Sequence, residues 1–102
     1  MFARVSLFKE PVEVAIRVTR ERVVPVVLGF PGSRGGFFLV DRKEGRTVSI
    51  TLWESREALD ASAAAIAQLR TERPQHVPGS ELVHLGEYEV VLAPPSVDQP
   101  AG

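Results

Sequence analysis

The segment at residues 51–55, with the sequence TLWES, constrains the fold more than any other part of the chain. Up to this point, residues 46–53 have the two-residue period of a half-buried strand, with Val48, Ile50 and Leu52 on one face and Thr47, Ser49, Thr51 and Trp53 on the other. Beyond it, an alanine-rich run has apolar residues at helical spacing, and Ser55 is a favourable N-cap. The junction therefore predicts a strand over residues 46–53 and a following helix that stops at Pro74.

Three further strands are predicted from similar patterns. Residues 2–8 alternate clearly, and residues 34–41 and 81–92 are rich in apolar and β-branched residues. The short loop at residues 42–45 ends in a glycine placed for a positive φ, which predicts a β-hairpin between the second and third strands.

The segment between the first and second strands has two interpretations. Residues 12–18 alternate like a strand and contain several β-branched residues. However, apolar residues also recur at helical spacing as far as residue 27, and Glu13 and Arg17 are oppositely charged helical neighbours. A strand of this length would exceed the usual range. We therefore predict a helix over residues 11–28, kinked near Pro25.

The predicted order of strand, helix, strand, strand, helix, strand indicates an α+β fold of the ferredoxin-like βαββαβ type. Right-handed crossovers place the first and third strands at the centre of the sheet as parallel neighbours. The result is a four-stranded antiparallel sheet with two helices on one face. We expect one domain over residues 1–92 and a mobile C-terminal tail over residues 93–102, which are rich in proline and small residues. The second sheet face would stay apolar and uncovered in a monomer, so a second copy is expected to cover it.

Composition excludes several classes of function. The net charge of −1 provides no strong field to attract nucleic acid or an anionic membrane, and no apolar run approaches the roughly 20 residues of a membrane span. The chain has no cysteine, which excludes disulfides, thiol catalysis and thiolate metal sites. His76 and His84 alone do not define a metal site. We expect a cytoplasmic domain with no metal or cofactor and no nucleic-acid or membrane partner.

Three stretches resemble one known family. GFFLVD at residues 36–41, TLWES at residues 51–55 and the following EAL at residues 57–59 resemble the antibiotic biosynthesis monooxygenase-like family of dimeric α+β barrels. The turn LGFPG at residues 28–32 is similar to that family's link between the first helix and the second strand. The resemblance extends over residues 3–92. It implies a homodimer whose two sheets close into a barrel, with a pocket between the helices and the sheet of each subunit.

The resemblance implies a range of activities. Members include cofactor-independent oxygenases of polyphenolic substrates and haem-degrading enzymes, and many members have no assigned activity. Haem-degrading members supply an axial histidine from the second helix, and the predicted second helix here has none. The implied function is cofactor-independent oxygenation of a small aromatic substrate, and the alternative is a non-enzymatic dimeric ligand-binding or structural domain.

Four residues are candidates for the site. Trp53 matches a tryptophan that some active relatives place beside their substrate, although the favoured alternative is a core-packing role at the junction of strand and helix. His84 is the candidate catalytic base, because its pKa range suits removal of a phenolic proton. The alternative for His84 is a hydrogen-bonded histidine at a barrel or dimer interface. Tyr88 and Phe38 complete the predicted ligand pocket around Trp53.

Overall fold

The computed structural model of the chain describes residues 1–92, so the predicted tail at residues 93–102 lies outside the described residues. The elements follow in the order β1 (Phe2–Lys9), α1 (Val12–Val18), a π-helical turn (Thr19–Val23), α2 (Val24–Gly29), β2 (Ser33–Asp41), β3 (Arg46–Trp53), α3 (Arg56–His76) and β4 (Glu81–Glu89). Within residues 1–92, none of the helices combines the length and the apolar character that a membrane crossing requires.

The four strands form one sheet in the order β2-β3-β1-β4, and every neighbouring pair is antiparallel. The ferredoxin-like plan is therefore confirmed, with β1 and β3 at the centre. The prediction that these two central strands run parallel is wrong, because Phe2 pairs with Trp53 and Lys9 pairs with Arg46. The helical connection between β1 and β2 makes these two strands run in the same direction. The β2–β3 hairpin then reverses the chain, so β3 runs antiparallel to its neighbour β1.

The helical interpretation of the segment after β1 is confirmed. α1, the π turn and α2 follow without a break, and together they are termed the first helical segment. The irregular turn lies just before Pro25, where the N–H of Val24 bonds to the carbonyl of Thr19. Because Pro25 has no N–H, it cannot pair with the carbonyl of Glu21, and the wider turn falls at this point.

The start of α3 is as predicted, but its end is not. The Ser55 hydroxyl accepts the N–H of Ala58 at 3.1 Å and caps the helix. The predicted stop at Pro74 is wrong, because α3 continues to His76. A proline removes a single backbone hydrogen bond, and the N–H of Val77 still reaches the carbonyl of Arg73 at 2.7 Å. The second helix therefore does contain a histidine.

β4 is shorter than predicted and contains a bulge. It ends at Glu89 instead of Leu92, although the N–H of Val90 still bonds to the carbonyl of Met1 at 2.9 Å. The pairing with β1 shifts between His84 and Leu82. An extra residue moves all later side chains to the other face of a strand. Leu82 therefore does not share the face of His84 as the simple alternation predicts.

The two faces of the sheet differ in what covers them. The helices cover the face that carries Trp53, and Trp53 packs in a buried cluster with Val27, Leu59 and Ile66. The opposite face is termed the open face. Strand alternation and register assign the following residues to it: Ala3, Val5, Leu7, Phe37, Leu39, Val48, Ile50, Leu52, His84 and Tyr88. In the single chain, Phe37 is 58% exposed and Leu39 is 49% exposed.

Candidate functional site

Two adjoining cavities lie between the first helical segment and the covered face of the sheet. The larger one, termed the outer cavity, has a volume of about 260 Å³. The smaller one, termed the inner cavity, has a volume of about 40 Å³ and continues beneath α3. The two cavities share the lining residues Thr19, Val23, Val27, Phe38, Ser49 and Thr51.

The outer cavity is apolar and opens beside β2. Val24 and Leu28 of α2 form one side, and Gly35, Gly36 and Phe37 form the other. A Cβ on Gly36 would lie 1.9 Å from the Ile50 carbonyl oxygen, so only glycine allows this approach of β2 to β3. With about 260 Å³, the outer cavity is close to the lower end of ordinary ligand sites, which begin at about 300 Å³. Its size and lining suit a small, flat apolar ligand.

Hydroxyl groups from β3 supply polar atoms on the sheet side of the cavities. Ser49 and Thr51 line both cavities. The Thr51 hydroxyl oxygen accepts the indole N–H of Trp53 at 3.0 Å. Because a hydroxyl both accepts and donates, this contact leaves the Thr51 proton available to a ligand.

The inner cavity is lined by three arginines, two of which have well-defined partners. Arg4 is buried and donates to the Ser62 hydroxyl at 3.0 Å and to the Leu59 carbonyl at 2.8 Å. Arg73 is also buried and binds both carboxylate oxygens of Glu10 at 2.8 Å. Neither guanidinium is therefore free to change partners without a loss of buried hydrogen bonds.

Arg70 is the third arginine and differs from the other two. Its Nη1 atom is buried and has no hydrogen-bond partner among residues 1–92. Burial lowers the pKa of Arg70, and the nearby positive charge of Arg4 acts in the same direction, while Glu87 opposes it. Arg70 is not among the site residues predicted from the sequence. The available signal was its position four residues after Ile66, on the apolar stripe of α3.

Trp53 lies behind the cavities and does not line either of them. Its side chain is fully buried, and its ring meets that of Phe30 edge to face at 6.2 Å. The guanidinium of Arg4 lies 5.8 Å from the indole centroid. Trp53 therefore contacts the cavities only indirectly. Its indole N–H orients the hydroxyl of Thr51, which lines both cavities.

The other three predicted site residues separate into two places. Phe38 lines both cavities. His84 and Tyr88 lie together on the open face, where His84 Nε2 is 2.8 Å from the Tyr88 hydroxyl. Both of these side chains are exposed, and the sheet separates them from the cavities. The structure thus does not bring His84 and Tyr88 together with Phe38.

The residues around the cavities do not fit a haem group. Protein haem iron takes axial ligands such as histidine, cysteine, methionine or tyrosine, and none of these is among the described lining residues. His76 lines a separate crevice of about 10 Å³ beside Arg22 and Glu72. Within the described part of the chain, no group of three histidine, aspartate or glutamate side chains could hold a metal ion.

Comparison with known sequences gives relatives without an assigned activity. No family model matches the chain. The chain is similar to two uncharacterised proteins of Mycobacterium tuberculosis strain H37Rv, Rv2557 at 31% identity and Rv2558 at 32% identity, over 81 residues in each case. The match covers 79% of the chain and 35% of Rv2557. The chain thus spans about a third of the length of these curated relatives.

Comparison with solved structures gives neighbours that match over nearly the whole chain. SnoaB, a cofactor-independent oxygenase from Streptomyces nogalater, aligns with a TM-score of 0.69 at 19% identity, covering 93% of this chain and 97% of SnoaB. MhuD, a haem-degrader from M. tuberculosis, aligns with a TM-score of 0.60 at 27% identity, covering 91% and 98%. A candidate antibiotic biosynthesis monooxygenase from Deinococcus radiodurans aligns with a TM-score of 0.64 at 14% identity, covering 91% and 95%. The chain therefore shares the fold of these antibiotic biosynthesis monooxygenase-like proteins.

Proposed function

We propose that the outer and inner cavities together bind a small aromatic substrate, which the domain oxygenates without a metal or a flavin. The observation that carries the proposal is the apolar cavity of about 260 Å³, with the hydroxyls of Ser49 and Thr51 on its sheet side. The likeness to SnoaB, described as a cofactor-independent oxygenase, supports this kind of reaction.

The proposed reaction uses the electrons of the substrate itself. A phenol loses its proton, and the anion transfers one electron to O₂. The phenoxyl radical and superoxide join through a carbon–oxygen bond to form a peroxide anion, which takes up the proton released in the first step and becomes a hydroperoxide. Loss of water then gives a quinone, so that one phenol and one O₂ yield one quinone and one H₂O. The protein contributes hydrogen bonds from Ser49 and Thr51 and apolar walls that exclude water from the anion.

In the proposed reaction, His84 is not the base that removes the phenolic proton, although the sequence predicts it in that role. The described residues that line the two cavities include no histidine, aspartate, glutamate or tyrosine. We therefore assign the phenolic proton to water at the mouth of the outer cavity. His84 lies on the open face, where it contacts Tyr88, and its role as a base stays a prediction.

We also propose that the domain is a homodimer in which a second copy covers the open face. Apolar side chains from all four strands lie on this face, and Phe37, Leu39 and Tyr88 are each about half exposed in the single chain. A monomer rarely exposes an apolar patch of this extent. Two such sheets packed face to face would bury these side chains, together with the His84–Tyr88 pair.

A non-enzymatic ligand-binding domain is the second candidate. The same absence of an acid–base side chain around the cavities favours it, because binding requires no proton transfer. The two functions make different predictions in one assay. An oxygenase consumes O₂ in proportion to the substrate, whereas a binding domain holds the ligand and consumes none.

The test measures O₂ uptake with a panel of dihydroxynaphthalenes in a buffer that contains a metal chelator. Val24→Phe places a large side chain at the mouth of the outer cavity, and Val91→Phe is the matched control at a position that is 79% exposed. We expect uptake by the wild type and by Val91→Phe, and at least about a tenfold loss in Val24→Phe. Saturable binding without uptake would leave the ligand-binding domain as the function.

A further inference from the structure

The inner cavity contains one buried donor atom without a partner, on an arginine side chain that is otherwise partly exposed. Arg70 lines this cavity, and its Nη1 atom is buried without a hydrogen-bond partner in residues 1–92. A buried donor that lacks an acceptor costs about 1–3 kcal/mol, and more when the group is charged. A native structure usually supplies an acceptor for such an atom.

The nearby carboxylates are already committed to other arginines. Glu10 binds Arg73 through both oxygens at 2.8 Å. Glu87 contacts Arg4 at 3.3 Å and Arg56 at 3.4 Å. Arg70 forms no ion pair within the described part of the chain. The inner cavity therefore has one guanidinium that no carboxylate among residues 1–92 contacts directly, although Glu87 acts on its charge from a distance.

The two cavities together define the shape of a ligand that would supply the missing charge. The outer cavity is apolar and opens beside β2, and the inner cavity continues from it towards Arg70. With about 40 Å³, the inner cavity accommodates a small group and not a further ring. A water molecule could accept one hydrogen bond from Nη1 but would bring no negative charge to the cavity.

We infer that the inner cavity binds the acidic oxygen of an aromatic ligand, a carboxylate or an ionised phenol, through Nη1 of Arg70, while the rings occupy the outer cavity. This inference rests on the aromatic site of the proposed function but not on its oxygenation. A hydrogen bond between ionised partners is about twice as strong as a neutral one, so charge should distinguish two ligands that have the same rings. In the proposed reaction, the same contact would favour the substrate anion over the neutral phenol.

The test compares two ligands that have the same rings and differ in charge. 2-Naphthoate is anionic at pH 7 and 2-naphthamide is neutral, and both dissociation constants are measured by titration calorimetry. We expect the wild type to bind 2-naphthoate at least about tenfold more tightly, which corresponds to about 1.4 kcal/mol. Arg70→Gln should remove the preference, and Arg70→Lys should retain part of it.

Arg17→Gln is the matched control, because it removes the same charge from an exposed position on α1. Circular-dichroism melting of each variant shows whether it is folded. Equal affinity for the two ligands, failure to bind either, or a preference that persists in folded Arg70→Gln would each overturn the inference.

A second experiment shows whether Arg70 recognises a carboxylate or an ionised phenol. Ionisation of 2-naphthol shifts its absorption to longer wavelength, so the pKa of the bound phenol can be read directly. If Arg70 recognises phenols, the wild type lowers this pKa and Arg70→Gln does not. An unchanged pKa together with naphthoate preference identifies the carboxylate as the recognised acid. Naphthoate preference without O₂ uptake in the oxygen assay would contradict the proposed function alone.

Discussion

The guanidinium of Arg73 and the carboxylate of Glu10 form a buried bidentate ion pair, with the Nε–Oε1 and Nη2–Oε2 distances both 2.8 Å. Glu10 follows β1 directly, and Arg73 lies in the last turn of α3. The hydroxyls of Thr47 and Ser80 also donate to the Glu10 carboxylate. The pair thus fastens the end of α3 to the sheet and neutralises Arg73, which also lines the inner cavity.

Removal of one partner of this pair should destabilise the domain strongly. We expect Glu10→Gln to lower the free energy of unfolding by about 3–5 kcal/mol, because it leaves the buried Arg73 without its counter-charge. The double variant Glu10→Gln/Arg73→Gln should lose less than the sum of the single variants. Urea denaturation measures all three. Glu13→Gln, which breaks the exposed pair with Arg42, is the control and should have little effect. Near-wild-type stability of Glu10→Gln would contradict this account.

The same carboxylate should make stability depend on acid pH. Burial alone would raise the pKa of Glu10, but the hydrogen bonds from Arg73, Thr47 and Ser80 and the charge of Arg73 hold it below its ordinary value of 4.5. A pKa that is lower in the folded state means that the ionised group stabilises the fold above the unfolded pKa. This stabilisation is lost as the pH falls through the lower, folded pKa.

We therefore expect the free energy of unfolding to decrease as the pH falls below about 4.5. The decrease should be smaller in Glu10→Gln, which has no proton to take up at this position. Urea denaturation at a series of pH values measures both slopes. Identical pH dependence in the two proteins would mean that other carboxylates are responsible.

Substitution of Trp53 should affect stability more than ligand binding. Trp53→Phe removes buried ring area and the indole donor to Thr51, so we expect a loss of about 1–3 kcal/mol in the free energy of unfolding. The dissociation constant for 2-naphthoate should change less than about threefold, because Trp53 does not line the cavities. Thr51→Val removes a hydroxyl that does line them and should weaken binding by more. A folded Trp53→Phe protein that no longer binds would place the indole in direct contact with the ligand.

The open face should determine the oligomeric state. Light scattering coupled to size exclusion at micromolar concentration should give twice the chain mass of 11.2 kDa. Val5→Lys places a charge at the centre of the open face and should give a monomer, because a buried unpaired charge is costly. Ala64→Lys places the same charge on the exposed side of α3 and should remain dimeric. A monomeric wild-type protein would contradict the covered-face proposal.

The elements were predictable where one local pattern dominates. Residues 47–52 alternate without interruption, and Ser55 is the kind of residue that caps a helix, so β3 and the start of α3 were correctly placed. The end of α3 was not, because an anchored helix can tolerate Pro74. The bulge after Leu82 was also missed, since alternation along a single strand contains no information about its pairing partner.

The candidate site was less predictable, because it depends on which charges are neutralised in three dimensions. The sequence shows Arg4, Arg70 and Arg73 as similar residues. Only the fold brings Glu10 to Arg73 and leaves Nη1 of Arg70 without a described partner. The sequence likewise cannot show that β4 directs His84 away from the helices, because both faces of this strand contain apolar residues.

A crystal structure of the protein soaked with 2-naphthoate tests the central claim most directly. We expect electron density for the two rings in the outer cavity against Phe38, with a carboxylate oxygen within about 3 Å of Nη1 of Arg70. Density on the open face beside His84 and Tyr88, with no ligand in the cavities, would contradict it.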